Sequence, residues 1–487
     1  MKKFPQLSLF FLLLIILLAS FVRFYKLELK MRFIWDEGRD MMAIHRLVVA
    51  KNLTLFGPFN EIDGKKDFFG VFHYYLMAPA LLLADFDPIG PAVLTVFLGV
   101  LSVGLVYLLV RQWSSEKTAL LTSFFYAVSP LVIKYVQWPW NPNTLPFFAL
   151  LYFLCLTNLL KKDKIKLIWV GLAGLMLGLL FQLHYFSLPL VIAYLLIFFH
   201  DRKKHWSELI LFSLLFILPN LSFLIFDLTH DFFYFKILKE SFFGGSDQQY
   251  FSFNLINFLI IPIKFIFNLL IGLFFTSKLL IIFLELIFFW LVFKNIKHYF
   301  ITKEINLKIL LSFVWFCFFL MIGFFPTVFD EYHSSYLWFG FFYLFIEFFG
   351  QKKLMLIFYF LLALLMYKNI NLNRQPNWSE NLPLLRSLSE IIVNDYKDNY
   401  SGKKVNLASL TDVDTRATRY RYFLQKEKIL VDGVDQYPQA TVLYVISPHD
   451  LAKTKSNQAW EIASFLDQVW VEVGVVDQIF IYRVTKD

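Results

Sequence analysis

A predominantly apolar stretch running roughly from Leu7 to Tyr25 opens the chain, and comparable runs recur, among them Ala92–Val110, Ser207–Phe226 and Leu279–Phe293. Runs of about twenty apolar residues cross a bilayer as helices, because a helix pairs its own backbone groups where lipid offers no partner. None shows the two-residue alternation of a barrel strand. The region between the first two full spans is patterned differently. It forms a long first outer loop, residues 28–91, in which Glu37–Lys51 has helical spacing with Met41, Ile44 and Val48 on one face. Asp36 stands where the N-cap of that helix belongs and Asn52 where it would stop. Gly57-Pro58 and Asp63-Gly64 mark turns. Val71–Leu83 is apolar but too short to cross, which predicts an interfacial or re-entrant helix before Asp87-Pro88 introduces the second span.

Basic residues orient the spans. Arg111 and Lys117, then Lys161, Lys162, Lys164 and Lys166, then Arg202, Lys203 and Lys204 follow even-numbered spans, which places those turns and the N-terminus in the cytoplasm. Lys294–Lys308 and Lys352-Lys353 read the same way, and the turns at Trp138–Asn143, His184-Tyr185 and Pro326–Ser335 read as external. Leu255–Phe275 is interrupted by Pro262, Lys264 and Asn268; taking it as an interfacial or partly inserted segment keeps the charge pattern consistent. The expectation is an all-α polytopic protein of the cytoplasmic membrane with about eleven to thirteen spans. Met1-Lys2-Lys3 precedes the first run and no small-residue cleavage site follows it, so the first span reads as uncleaved. After Tyr367 the chain turns polar. Strand-like Val405–Leu410, Val442–Ile446 and Phe480–Val484 alternate with helix-like Leu382–Asp395 and Gln458–Gln468. A transmembrane domain over 1–368 and a small extracytoplasmic α/β domain over 369–487 are therefore expected.

Composition agrees: 58% of the 487 residues are hydrophobic and 20% aromatic, far from a soluble domain. Most of the clustered Lys and Arg behind the net charge of +9 lie in short loops between spans, so the positive-inside rule explains the charge better than a nucleic-acid partner does. Cys155 and Cys317 both fall in apolar runs and form no disulfide framework. A phosphate-cradling Gly-rich loop, HExxH and paired cysteines are all missing from the sequence, which sets aside ATP-driven pumping. Ionisable residues within spans are few, which argues against a proton-relay transporter.

The chemistry-bearing cluster is Arg32–Asp40, just past the first span, with Asp36 and Glu37 at its centre. Acidic residues in a first helical turn stabilise any helix. The same position keeps a carboxylate ionised, ready to act as a base or to bind a divalent metal, Mg or Mn, through Asp36. Lys65, Lys66, His73 and Tyr74 lie at the depth of lipid phosphates, where they also serve as ordinary interfacial anchors. Trp138 and Asn141 offer an aromatic face and an amide of the kind sugars use, in what is otherwise an aromatic belt with a Pro turn. Asp330-Glu331-Tyr332-His333 forms a third outer cluster whose spacing matches no metal motif.

Several of these stretches resemble the integral-membrane glycosyltransferases of the GT-C fold, in the dolichyl-phosphate-mannose-protein mannosyltransferase-like branch that includes aminoarabinose transferases. Trp35–Asp40 is similar to that family's Asp-Glu pair opening a juxtamembrane helix. Phe69–Leu76 is similar to its Gly…Pro-Leu-Tyr-Tyr stretch without the prolines, and Ala119–Lys134 with Ser129-Pro130 to its third span. Tyr332–Tyr336 resembles its basic-residue-then-Tyr pattern. Where the family has an Arg and an Asp in the second outer loop, this chain has Gln137 and Asn141. The resemblance implies inverting transfer of a monosaccharide from a polyprenyl-phosphate donor to a protein, lipid or glycan acceptor at the outer face. It implies Asp36 as base or metal partner and Glu37 as a supporting carboxylate. Lys65, Lys66 and His73 would be the phosphate contacts, and His333 and Tyr336 would join the substrate site. Two other classes stay open: a lipid-linked glycan flippase, and a non-catalytic membrane scaffold.

Overall fold

The computed structural model describes residues 6–62, 65–161, 166–201, 205–243, 254–274, 278–325, 328–350, 381–411, 413–465 and 468–486. Helix α1 (Gln6–Phe24) is followed by α2 (Trp35–Val49), a hairpin of β1 (Phe59–Ile62) and β2 (Lys65–Phe68), and the short α3 (Phe72–Leu83). The first outer loop thus holds both expected helices with two paired strands between them, and the turn expected at Asp63-Gly64 lies outside the described residues. The bundle continues with α4 (Ile89–Arg111), α5 (Glu116–Val128), α6 (Pro130–Val136), α7 (Leu145–Leu159), α8 (Lys166–Leu183), α9 (Val191–His200) and α10 (Trp206–Thr229). It closes with α11 (Asn257–Phe274), α12 (Lys278–Thr302), α13 (Leu307–Gly323) and α14 (Trp338–Phe349). Among the described residues, six helices are long and apolar enough to cross a membrane, and shorter apolar helices accompany them.

The third span is broken: α5 and α6 meet at 60°. Pro130 has no N–H and forces Ser129 into an extended conformation. That frees carbonyls at the end of α5, and the buried Arg23 guanidinium donates to Ala127 O at 2.7 Å, a cation at a helix C-terminus. Helix α11 is one of the shorter apolar helices. Asn257 near one end donates to Phe325 O just past α13, while Gly272 near the other end lies against Leu131 and the Glu331 carboxylate. Both contacts are on one side of the bundle, so α11 runs along that face.

The helix α2 begins two residues earlier than expected. Its N-cap is Ile34, and Glu37 reaches back to accept the Ile34 N–H at 2.9 Å. Asp36 is therefore inside the first turn and is not the cap, because Glu37 at the third helical position supplies the partner a cap would give. The helix ends at Val49, before Asn52.

In the C-terminal part, α15 (Leu382–Asn399), β3 (Asn406–Ser409), α16 (Thr418–Lys426), β4 (Val442–Ser447), β5 (Gln468–Val476) and β6 (Ile479–Lys486) form a mixed sheet of order β3-β4-β6-β5. The strands expected there are present. The helix expected over Gln458–Gln468 is one turn, Trp460–Ala463, and from Gln468 the Val-rich chain pairs with β6 instead. Lys162, Lys164, Arg202, Lys203, Lys204, Lys352, Lys353 and the boundary expected at 368/369 lie outside the described residues.

This C-terminal part shares a core with the first outer loop. Met41, Ile44, Tyr74 and Met77 pack in one cluster with Leu385, Leu388, Tyr422 and Phe423. The Tyr422 hydroxyl donates to Phe86 O, Gln425 Nε2 to Met42 O at 3.2 Å, and Arg386 pairs with Glu28 and Asp87. A Cβ on Gly38 would lie 2.6 Å from Arg419 Cα, so α16 rests on the backbone of α2 at a position only glycine allows.

Candidate active site

The site is built at the start of α2. Glu37 is fully buried, with one carboxylate oxygen taken by the Ile34 N–H and the other by the Trp138 indole N–H. Burial, then the charge of Asp36, pushes its carboxyl well above the ordinary range. Asp36, one residue earlier, pairs with Arg39 at 2.8 Å, as i,i+3 spacing on a helix allows. Arg39 also pairs with Asp40 at 2.8 Å and donates to Phe59 O at 3.0 Å, which ties the helix to the hairpin. Burial works to lower the Arg39 pKa, but Asp40 and Asp36 outweigh it and raise it.

Behind Arg39 lies a buried layer from α3. The Tyr74 hydroxyl donates to Asp40 at 3.2 Å, and His73 Nε2 is 3.7 Å from the other Asp40 oxygen. Burial raises the Asp40 carboxyl against the pull of Arg39. His73 is pushed down to about 3 by burial and the Arg39 charge, so it is neutral; Arg39 engages the other Asp40 oxygen.

Across from α2 stands an aromatic wall. Trp138 stacks on Trp140 at 4.6 Å, and Trp140 meets Tyr332 edge-on at 4.6 Å. Arg32 lies 4.5 Å over the Trp138 ring. Tyr332 stacks on His333 at 4.0 Å, and the Tyr185 hydroxyl is 3.3 Å from the Asp67 carboxylate on β2. Burial, then the charges of Asp330, Asp67 and Asp36, raises the Tyr332 hydroxyl pKa.

The residues singled out in the sequence divide. Asp36, Glu37, His73, Tyr74 and Trp138 come together around Arg39. His73 is buried behind Asp40 and does not open to a ligand. Asn141 spends its amide N–H on Leu183 O at 2.7 Å, and Tyr336 is buried with its hydroxyl donated to Phe186 O at 2.7 Å. His333 is held at Asp330 O through Nδ1 at 2.9 Å. Lys66 lies on β2 facing away from the side of Asp67, as strand alternation requires, and the Lys65 side chain lies outside the described residues. Gln137 donates to Arg23 O at 2.8 Å. The pivotal role of Arg39, the Asp67 carboxylate and the Trp140–Tyr332 wall were not assigned from sequence. The i,i+3 spacing of Asp36 and Arg39 and the Asp-Gly hairpin around Asp67 were the available signals.

The donor set does not fit a divalent metal. Arg39 already bridges Asp36 and Asp40, and among the described residues no group of three His, Cys, Asp or Glu side chains is placed to hold one.

A helical membrane bundle with carboxylates opening a juxtamembrane helix and a C-terminal mixed sheet is the GT-C arrangement of membrane glycosyltransferases, as the sequence resemblance implies. Residues 70–223 match the model of the family described as dolichyl-phosphate-mannose-protein mannosyltransferase. ArnT from Cupriavidus metallidurans in the apo state superposes with a TM-score of 0.60 at 11% identity, over 98% of this chain and 97% of that one. The same protein bound to undecaprenyl phosphate gives 0.60 at 10% identity, with the same coverage of both chains at 98% and 97%. The Archaeoglobus fulgidus oligosaccharyltransferase in complex with Zn and sulfate gives 0.54 at 13% identity, over 90% of this chain and 67% of that one. No curated protein matches the chain.

Proposed function

We propose that this protein transfers a monosaccharide from a polyprenyl-phosphate carrier to an acceptor on the membrane face that carries α2. The observation behind the reading is the Asp36–Arg39–Asp40 array at the start of α2, set against an aromatic wall. The GT-C fold and the undecaprenyl phosphate held by a neighbour of that fold support the carrier class.

Asp36 is the base of the reading. It takes the proton from the acceptor as the acceptor heteroatom bonds to the anomeric carbon. The bond from that carbon to the phosphate oxygen breaks, and polyprenyl phosphate leaves with the electron pair. One displacement inverts the anomeric centre. Arg39 and Arg32 supply positive charge toward the leaving phosphate. Glu37, committed to Ile34 and Trp138, is a positioning residue, and Asp40, Tyr74 and His73 hold Arg39. Trp140 and Tyr332 offer ring faces to the sugar. Residues 1–368 form the transferase part and the remainder covers α2, on the extracytoplasmic side. The acceptor is a protein, lipid or glycan, and no step is routed through a metal.

The test is release of free polyprenyl phosphate, with mass gain on the acceptor, by purified protein in lipid. Asp36→Asn is expected to lose transfer by roughly 10²–10⁴-fold while donor binding persists. Full transfer by Asp36→Asn would remove Asp36 as base, and donor binding without release across an acceptor panel would favour a flippase.

A further inference from the structure

A second polar site lies away from α2, between α11 and α12. A cavity of about 510 Å³ there is lined by Lys264, Phe267, Asn268, Glu285, Phe289 and Val328, among others. Glu285 is 6% exposed, and its Oε1 has no hydrogen-bond partner. An ionisable group in a membrane span is costly unless something meets it. Its depth follows from the packing of α12 on α13. Phe288 meets Trp315 at 5.2 Å and Phe289 meets Phe319 at 5.3 Å, while Asn295 reaches Ser312 at the far end. One turn on from Phe289, Glu285 is level with the Gly323 end of α13. That end is on the face along which α11 runs, so Lys264 and Asn268 sit at lipid-headgroup depth.

We infer that this cavity binds the headgroup of an amine-bearing phospholipid, its ammonium on Glu285 and its phosphate on Lys264. The carboxylate takes only donors, and a primary ammonium has three. A phosphate alone is repelled by Glu285, whereas Lys264 and the Asn268 amide on the neighbouring helix accept it. Phe267, Phe289 and Val328 give the glycerol and first methylenes an apolar surface. The site is separate from the Asp36 array and does not depend on how transfer proceeds.

The discriminating probe is phosphatidylcholine, whose quaternary nitrogen carries no N–H. The full-length protein would be reconstituted in nanodiscs of equal phosphatidylethanolamine and phosphatidylcholine, and retained lipid counted by native mass spectrometry. Wild type is expected to retain phosphatidylethanolamine about tenfold better, the equivalent of one charge-assisted hydrogen bond of about 1.4 kcal/mol. Glu285→Gln is expected to lose the preference, and Lys264→Gln to weaken retention of both lipids. Equal retention by wild type, which a direct Glu285–Lys264 ion pair would produce, overturns the inference without any variant. A preference that survives Glu285→Gln overturns it as well.

Discussion

Gly38→Ala sets two known effects against each other at the centre of the molecule. In an exposed helix the change is favourable by about 0.8–1 kcal/mol, since alanine loses less backbone freedom than glycine. Here the new methyl would meet Arg419 Cα at 2.6 Å, Arg419 N at 2.7 Å and Thr418 C at 2.9 Å. Ordinary contact begins near 3.4 Å, so α16 must withdraw by roughly 0.8 Å. The opposing atoms are backbone, and no side chain can rotate away. Overpacking of this kind costs about 1–3 kcal/mol, so the net expectation is destabilisation by about 0–2 kcal/mol. Because Gly38 lies between Asp36 and Arg39, a displacement near 1 Å at the site would lower transfer by up to about 10²-fold. Hydrogen exchange on the solubilised full-length protein reads the first effect as faster exchange over Thr418–Lys426. The second is read by transfer assay. Arg419→Ala should not rescue either one. Unchanged exchange with an unchanged or raised unfolding midpoint would refute the packing of α16 on α2.

Three further outcomes follow from the site. Trp138→Phe keeps the stack on Trp140 but removes the indole N–H from Glu37; the orphaned oxygen is expected to cost about 1–3 kcal/mol in the unfolding midpoint. Combining it with Glu37→Gln should lose less than the sum of the two, and strict additivity would deny the pairing. His73 is held down to about 3 against an ordinary value near 6.5, so its neutral form adds stability at neutral pH that is lost as pH falls from about 6.5 towards 3. His73→Asn should flatten that part of the midpoint-against-pH curve, whereas parallel curves would contradict the burial of a neutral imidazole. Exhaustive removal of divalent cations should leave transfer intact, because Arg39 supplies the charge between Asp36 and Asp40. Activity lost on chelation and restored by Mg or Mn would reverse that assignment.

What could be read from sequence was what local pattern controls. The long apolar runs gave α1, α4 and α10, the short one gave α3, and the spacing of Met41 and Ile44 gave the buried face of α2. Pro262 with Lys264 and Asn268 set this stretch apart from the full spans, and α11 falls among the shorter apolar helices. The cap was misassigned because Asp36 and Ile34 compete for that position, and the outcome depends on Glu37 reaching back to a backbone N–H. Asn141 and Tyr336 looked available as polar groups in outer turns, but their partners, Leu183 O and Phe186 O, come from other segments. Asp67 joins the site only through the hairpin and Tyr185, and Glu285 is one acid in an apolar run whose significance depends on what faces it. Long-range pairing decides each of these, and no local window contains it.

The contact between α16 and α2 also sets an order of assembly. Gln425 and Met42 are separated by 383 residues, so every span is made before the two can meet. At a synthesis rate of about 5–20 residues per second, α2 waits roughly 20–75 seconds for its cover. During that interval its carboxylates lack the packing that holds them, and Gly38 leaves the helix with its weakest backbone at the place where α16 will land. Maturation of the site is therefore coupled to synthesis of α16. A nascent protein halted before Lys426 would be inserted in the membrane yet have an unfinished centre, so a helix made after the described spans also releases the site for use.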